Sequence, residues 1–76
     1  MSQNLKMVRF QDVYVGDWVL VETEESEQLV QVTAVWFFET RVDHCVRLNM
    51  QDYSTLYGRV DTKVQVRINR KVKRFL

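Results

Sequence analysis

Residues 18–38 read WVLVETEESEQLVQVTAVWFF, and apolar and polar side chains alternate on both sides of an acidic centre. A period of two predicts two β-strands, and the polar centre predicts the hairpin turn between them. Closing the turn over residues 24–27 pairs Val21 with Val30 and Val19 with Val32, which gathers these valines on one face. Because a slip of one residue would turn them toward solvent, the pattern also predicts this register.

Three further strands are expected toward the C-terminus. Residues 41–50 alternate, residues 54–60 do so with an interruption at Gly58, and residues 64–68 follow a tight turn at 61–63. A glycine inside a strand predicts a bulge or the close approach of another backbone. The remaining positions expected to face the core are Ala34, Trp36, Phe38, Val42, His44, Val46, Leu48, Met50, Leu56, Val60, Val64, Val66 and Ile68.

Length and composition limit the classes of protein that the chain can form. Its 76 residues suffice for one domain, spanning 1–76, and are too few for two independent cores. A single cysteine excludes an intramolecular disulfide. Residues 1–10 lack the apolar stretch of a secretory signal, and no apolar run is long enough to span a bilayer. A cytoplasmic protein without a membrane segment is therefore expected.

Five short strands in meander order predict an all-β fold, a five-stranded SH3-like small barrel over residues 17–68. Residues 1–16 then form an N-terminal arm. The alternation ends after Ile68, where Val72, Phe75 and Leu76 continue with the spacing of one helix face. Residues 69–76 are therefore expected to form a basic C-terminal tail with a short helical turn.

Two segments carry a resemblance to a known class of domain. Residues 10–21 place Gly16 and Asp17 before a strand of alternating valines, and residues 58–66 contain a short turn between two strands. These segments resemble the opening and the exit of SH3-like barrel modules, and together they resemble the short SH3-like proteins of bacteriophage genomes. The similarity covers residues 8–68. It implies the barrel fold and a phage-type accessory role in the host cytoplasm, and it carries over no catalytic residue.

The residues capable of catalysis are not arranged for it. His44 and Cys45, the one histidine and the one cysteine, are adjacent in a predicted strand and so point to opposite faces. They can form neither a nucleophile pair nor a shared metal site. The glutamates at positions 22, 24, 25 and 27 cluster at a hairpin tip. Water solvates each carboxylate there, so none is tuned for acid–base catalysis. The sequence predicts a protein that is not an enzyme and holds no metal ion or cofactor.

Apolar residues on the outward phase of the hairpin indicate a binding surface. Trp18, Leu20 and Phe37 all fall on this phase. Residues 1–14 either cover the strip that they form or leave it free to contact another protein. The leading prediction is a non-enzymatic interaction module of the phage accessory type, which docks on a host or phage protein through these three residues.

Charge is segregated along the chain, although the net charge is only +1. Residues 1–38 carry two basic and six acidic side chains (net −4), and residues 39–76 carry nine basic and four acidic ones (net +5). A basic face with an aromatic residue would suit a nucleic acid or an acidic protein surface, or the same side chains merely solvate the sheet. Pairing of this face with the acidic hairpin of a second copy would give self-association. The basic-face residues are Arg47, Tyr57, Arg59, Arg67, Arg70, Lys71, Lys73 and Arg74.

Overall fold

A computed structural model of the chain describes residues 4–69, and six strands within them form one antiparallel sheet. The order across the sheet is β1-β6-β2-β3-β4-β5, and the edge strands β1 and β5 do not pair with each other. The all-β class is thus confirmed, with six strands rather than five. The elements are β1 (Lys6–Arg9), a 3₁₀ turn (Phe10–Asp12), β2 (Trp18–Glu22), β3 (Glu27–Glu39), β4 (His44–Met50), β5 (Thr55–Arg59) and β6 (Lys63–Arg67).

The sixth strand comes from the segment expected to be an arm. β1 pairs with β6, with Val8 opposite Val64. Phe10 and Val13, which follow β1 in the sequence, are buried in the core. The prediction of an arm over residues 1–16 is therefore wrong for this part of the chain. Four residues with one inward valine are too short to show a period, so the sequence pattern could not reveal the strand.

The β2–β3 hairpin has the predicted faces but not the predicted register. Val19 lies opposite Val30 and Val21 opposite Gln28, two residues from the expected pairing. The hydroxyl of Thr23 accepts hydrogen bonds from the Glu25 and Ser26 amides, which tightens the turn to residues 23–26. Since a slip of two residues preserves the side-chain alternation, the valines still face the core.

A one-residue register shift in β3, between Val32 and Ala34, reverses the phase of the second half of this strand. We call the side that carries the core the inner face and the opposite side the outer face. Beyond the shift Phe37 pairs with the buried Val46, and Trp36 lies on the outer face with 53 % of its surface exposed. The predictions that Ala34, Trp36 and Phe38 face the core and that Phe37 faces outward are wrong, because they assumed an uninterrupted strand.

The core consists of nine buried apolar side chains on the inner face. Val42 is not among them: it is 83 % exposed, because Thr40 forms a turn with Asp43 and β4 begins only at His44. His44 and Ile68 are also exposed, against expectation, since they lie at or beyond strand ends. Leu56, Val60 and Val64 pack against the core as predicted. The nine are Phe10, Val13, Val19, Val30, Val32, Val46, Leu48, Met50 and Val66.

The basic helical turn expected at residues 69–76 lies, apart from Asn69, outside the residues that the structure describes. Within residues 4–69 no helix has the length and apolar character needed to cross a membrane.

The β2–β3 hairpin contains a repulsive pair, which gives a first testable prediction. Glu22 lies directly opposite Glu27, and like charges in this position destabilise a sheet. Glu27→Lys should raise the free energy of unfolding by about 0.5 kcal/mol, measured by urea denaturation. Glu24→Lys makes the same charge change at the tip, outside the strand pairs. An equal gain from both variants would assign the effect to net charge and contradict the cross-strand explanation.

Candidate functional site

The second half of β3, from Ala34 on, forms with β4 and β5 an outer surface whose strand positions carry no carboxylate. Cross-strand pairing places Trp36, Arg47 and Tyr57 in one row, because Arg47 lies opposite both aromatic residues. The neighbouring rows are built in the same way. We call this surface the outer β3–β5 face; its nine positions are Ala34, Asn49 and Thr55, then Trp36, Arg47 and Tyr57, then Phe38, Cys45 and Arg59.

Three aromatic rings of this face are open to solvent. Trp36 is 53 % exposed, Tyr57 63 % and Phe38 38 %. The rings of Phe38 and Tyr57 meet edge to face, with centroids 6.2 Å apart. Such a contact is a favourable arrangement of two aromatic rings and holds both in place. The face therefore offers fixed aromatic surfaces on two strands, separated by the arginine of the strand between them.

Arg47 is held by an aromatic ring rather than by an acid. Its guanidinium carbon lies 5.5 Å from the centroid of the Trp36 ring, a cation–π distance. The Nε atom is buried, and it is the one buried side-chain nitrogen or oxygen of the described residues without a hydrogen-bond partner. No carboxylate within residues 4–69 forms an ion pair with Arg47. Its charge is thus uncompensated at the centre of the face.

Arg59, at the margin of the face, is partly neutralised. Its guanidinium lies 3.9 Å from an oxygen of Asp43 and 3.6 Å from an oxygen of Asp61. The side chain is 60 % exposed, so each pair contributes at most about 1 kcal/mol and weakens with salt. The two carboxylates mark the acidic boundary of the outer β3–β5 face on this side.

A second arginine stacks on a tryptophan elsewhere on the outer face. Trp18 of β2 pairs with Arg67 of β6 on one side and Gln31 of β3 on the other. The guanidinium carbon of Arg67 lies 5.6 Å from the centroid of the Trp18 ring. The row Arg67–Trp18–Gln31 therefore repeats, in the other half of the sheet, the arginine–tryptophan contact of the outer β3–β5 face.

The three residues predicted to bind a protein do not form one surface. Trp18 and Leu20 lie on the outer face as predicted, and both are half-buried. Phe37 is 61 % exposed but belongs to the inner face, where it borders a shallow apolar hollow with Val13 and Val35. The segment that could have covered the outer strip instead pairs with β6 and fills the core.

The predicted basic face is brought together in part. Arg47, Tyr57 and Arg59 share the outer β3–β5 face, and Arg67 lies in the separate row described above. Arg70, Lys71, Lys73 and Arg74 lie outside the described residues. Trp36 and Phe38 were missed as members of the face. The break in alternation at residues 33–35, where Thr-Ala-Val follows Val-Gln-Val, is the signal that could have indicated the bulge.

His44 and Cys45 point to opposite faces, as the strand pattern predicts. Nδ1 of His44 lies 3.3 Å from an oxygen of Glu39, its inner-face partner, and both side chains are 72 % exposed. Cys45 pairs with Phe38 and Arg59 on the outer face. Among residues 4–69 no group of three His, Cys, Asp or Glu side chains could hold a metal ion.

Comparison with protein-family models, with characterised proteins and with solved structures finds no match to this chain.

Proposed function

We propose that this chain is a non-enzymatic module that binds single-stranded nucleic acid on the outer β3–β5 face. The observation that carries the proposal is the row Trp36–Arg47–Tyr57, in which an arginine without a carboxylate partner lies between two exposed aromatic rings. Unpaired bases stack on exposed rings, each such contact contributing about 1–3 kcal/mol. An arginine between the rings supplies the phosphate contact and can itself stack on a base.

The geometry favours a single strand over a duplex. Trp36 and Tyr57 lie on strands two positions apart, which is about 10 Å at the usual spacing of strands in a sheet. Their exposed rings can stack only on bases that are not already stacked inside a helix. None of the nine positions carries an acidic side chain that would repel the phosphates.

The charge of the chain indicates moderate, salt-dependent binding. The net charge of +1 excludes a dense phosphate-binding coat, so most of the affinity must come from stacking. With about three phosphate contacts, the logarithm of the affinity should fall with the logarithm of the salt concentration with a slope of about −2. A titration at several salt concentrations measures this slope directly.

We also propose that the sheet is an SH3-like small barrel, as the sequence resemblance to phage-encoded modules implies. The Phe10 amide continues the β1–β6 ladder by donating a hydrogen bond to the Thr62 carbonyl, and the Gln11 amide donates one to the carbonyl of Val60, directly after β5. The second bond links the 3₁₀ turn after β1 to the end of β5, and supports a strongly curved sheet. The curvature would make the outer face convex.

Removing either stacking ring should weaken binding. Trp36→Ala and Tyr57→Ala should each reduce the affinity for oligo(dT) or oligo(U) of about twelve nucleotides by about tenfold, since one stacked base is lost in each case. Fluorescence anisotropy of a labelled oligonucleotide at low salt measures the change. Arg47→Gln should cause a similar loss and a shallower salt slope.

Phe37→Ala is the matched control for these variants. It removes an equally exposed aromatic ring of the same strand, but from the inner face. The affinity for oligo(dT) and oligo(U) should stay within about twofold of the wild-type value, because the ring takes no part in stacking. Absence of binding by the wild-type protein at low salt would refute the proposed interface. An equal loss of affinity in Trp36→Ala, Tyr57→Ala and Phe37→Ala would refute it as well.

The apolar hollow on the inner face favours a second candidate, docking on a host or phage protein. Phe37, Val15 and Tyr14 line it and are all exposed. A partner would insert an apolar side chain between them, so Phe37→Ala should abolish its capture. In that case Tyr57→Ala would leave capture unchanged, which is the reverse of the result expected for nucleic acid.

A further inference from the structure

We propose that Arg67, stacked on Trp18, is a second contact site for the same nucleic-acid strand, and that the ligand must be long enough to reach both sites. This inference rests on the proposed function. It deepens that proposal by defining the ligand as an oligonucleotide of several residues rather than a mononucleotide or a single unpaired base.

The way in which the arginines are held supports this assignment. Arg9 and Arg59 form ion pairs with carboxylates, whereas Arg47 and Arg67 lie over tryptophan rings at 5.5 and 5.6 Å. No ion pair joins Arg67 to a carboxylate in the described part of the chain, and Arg67 is exposed. A guanidinium orientated by a ring loses little further entropy when it binds a phosphate, and no neighbouring acid competes for it.

β3 connects the two sites on one side of the sheet. Gln31 lies in the row of Trp18 and Arg67, and Trp36 lies in the row of Arg47 and Tyr57. The five residues from one to the other include the one-residue register shift, so they correspond to about 13 Å along the sheet. Thr33 and Ala34, which lie between them, have small side chains that leave the path open.

The acidic end of the hairpin determines the direction of this path. Glu22 and Glu27 occupy the outer face two rows from Trp18, on the side away from Trp36. Their carboxylates repel phosphates, so a strand bound at Arg67 is directed along β3 toward Arg47. A strand whose bases stack on protein rings rather than on one another needs several nucleotides to span this separation.

A length series of oligonucleotides tests the second site. Arg67→Gln should reduce the affinity for oligo(dT) of about twelve nucleotides by about fivefold and lower the salt slope by about 0.7. It should leave the affinity for oligo(dT) of about three nucleotides within twofold of the wild-type value, since that ligand occupies only the outer β3–β5 face. Trp36→Ala should reduce the affinity for both oligonucleotides.

Lys63→Gln is the matched control, because it removes one positive charge from an exposed position of the same strand β6. A loss with the longer ligand as large as that of Arg67→Gln would assign the effect to net charge. If Arg67→Gln behaves like the wild-type protein while Trp36→Ala still weakens binding, the second site is wrong and the proposed function stands. If the wild-type protein binds neither ligand at low salt, both proposals fail.

Fluorescence gives an independent measurement, because the chain contains only two tryptophans. In the Trp36→Phe protein, Trp18 is the single reporter, and the phenyl ring at position 36 still allows stacking. The longer oligonucleotide should quench Trp18 fluorescence and the shorter one should not. Equal quenching by both lengths, or by neither, would overturn the assignment of Arg67 and Trp18 to the path of the strand.

Discussion

Phe10→Ala should lower the free energy of unfolding by about 3–5 kcal/mol, the usual cost of deleting a buried phenyl ring. Phe10 is 6 % exposed and belongs to the central core cluster. A domain of 76 residues has a stability of about 4–11 kcal/mol at typical values per residue. The substitution is therefore expected to remove a large share of the folding free energy, and urea denaturation followed by tryptophan fluorescence measures the loss.

The ring of Phe10 occupies the volume above Gly58, and this contact makes the prediction specific. A Cβ atom at position 58 would lie 2.9–3.1 Å from three carbons of the ring, which is closer than carbon atoms in contact normally approach. Gly58→Ala in the wild-type protein should thus cost about 2 kcal/mol through overpacking. In the Phe10→Ala background the same change should cost less than about 0.5 kcal/mol, because the ring is absent.

The double-mutant cycle distinguishes this contact from a general loss of packing. Strictly additive effects of the two substitutions would show that position 58 does not contact Phe10 in solution. Phe37→Ala serves as the aromatic control, because its ring is 61 % exposed and borders the core rather than filling it. Its removal should cost less than about 1 kcal/mol, the magnitude typical of surface positions.

The strand pattern predicted the core of the sheet well where alternation is long and uninterrupted. Val19, Val30 and Val32 are buried, as expected from their common phase. The register of the hairpin was missed because it depends on the turn, where the hydroxyl of Thr23 caps two backbone amides. Alternation specifies faces but is unchanged by a shift of two residues, so it cannot distinguish the two registers.

The candidate site was predicted in part, and the missing part has one physical cause. Arg47, Tyr57 and Arg59 were expected on an outward face, and they share the outer β3–β5 face. Trp36 and Phe38 were assigned to the core because a single inserted residue near Thr33 reverses the phase of β3. The break in alternation at residues 33–35 is compatible with a bulge, but the shift itself is determined by the pairing with β4, which the sequence of β3 alone does not specify.

Gly58 shows a similar limit of sequence reasoning. The prediction of a bulge or of a close backbone approach at this position is wrong, because the β4–β5 register is unbroken there and the group above the glycine is the phenyl ring of Phe10. A glycine in a strand indicates only that volume is needed above it. The residue that fills the volume is 48 positions away in the sequence, and its position depends on the pairing of β1 with β6.

Asp17→Asn should lower the free energy of unfolding by about 3 kcal/mol, because the buried carboxylate accepts hydrogen bonds from two backbone amides. Oδ2 accepts from the Tyr14 amide and Oδ1 from the Asn69 amide, both at 3.1 Å. The residue is 0 % exposed. An asparagine has one acceptor oxygen for these two donors, so its NH₂ group would face a backbone N–H and leave it unpaired.

Each of these bonds joins a different part of the fold to the start of β2. The first closes the loop at residues 14–17, where Gly16 adopts a φ of +101° that only glycine takes without strain. The second attaches the residues after β6, and the Asp17 carbonyl also accepts the Val32 amide of β3. Asp17 thus joins three segments that are distant in sequence. Loss of its carboxylate removes the bonds to the loop and to the residues after β6, whereas the main-chain bond to Val32 remains, and unfolding should still be one cooperative transition.

The effect of Asp17→Asn has to be separated from the general effect of removing a negative charge. Asp61→Asn makes the same change at a 66 % exposed side chain and should alter stability by less than about 0.5 kcal/mol. Asp17→Ala should be at least as destabilising as Asp17→Asn, since both amides then lack an acceptor. A stability of the Asp17→Asn protein within about 0.5 kcal/mol of the wild type would mean that water reaches these amides. The joint between the loop, β3 and the residues after β6 would then not depend on the carboxylate.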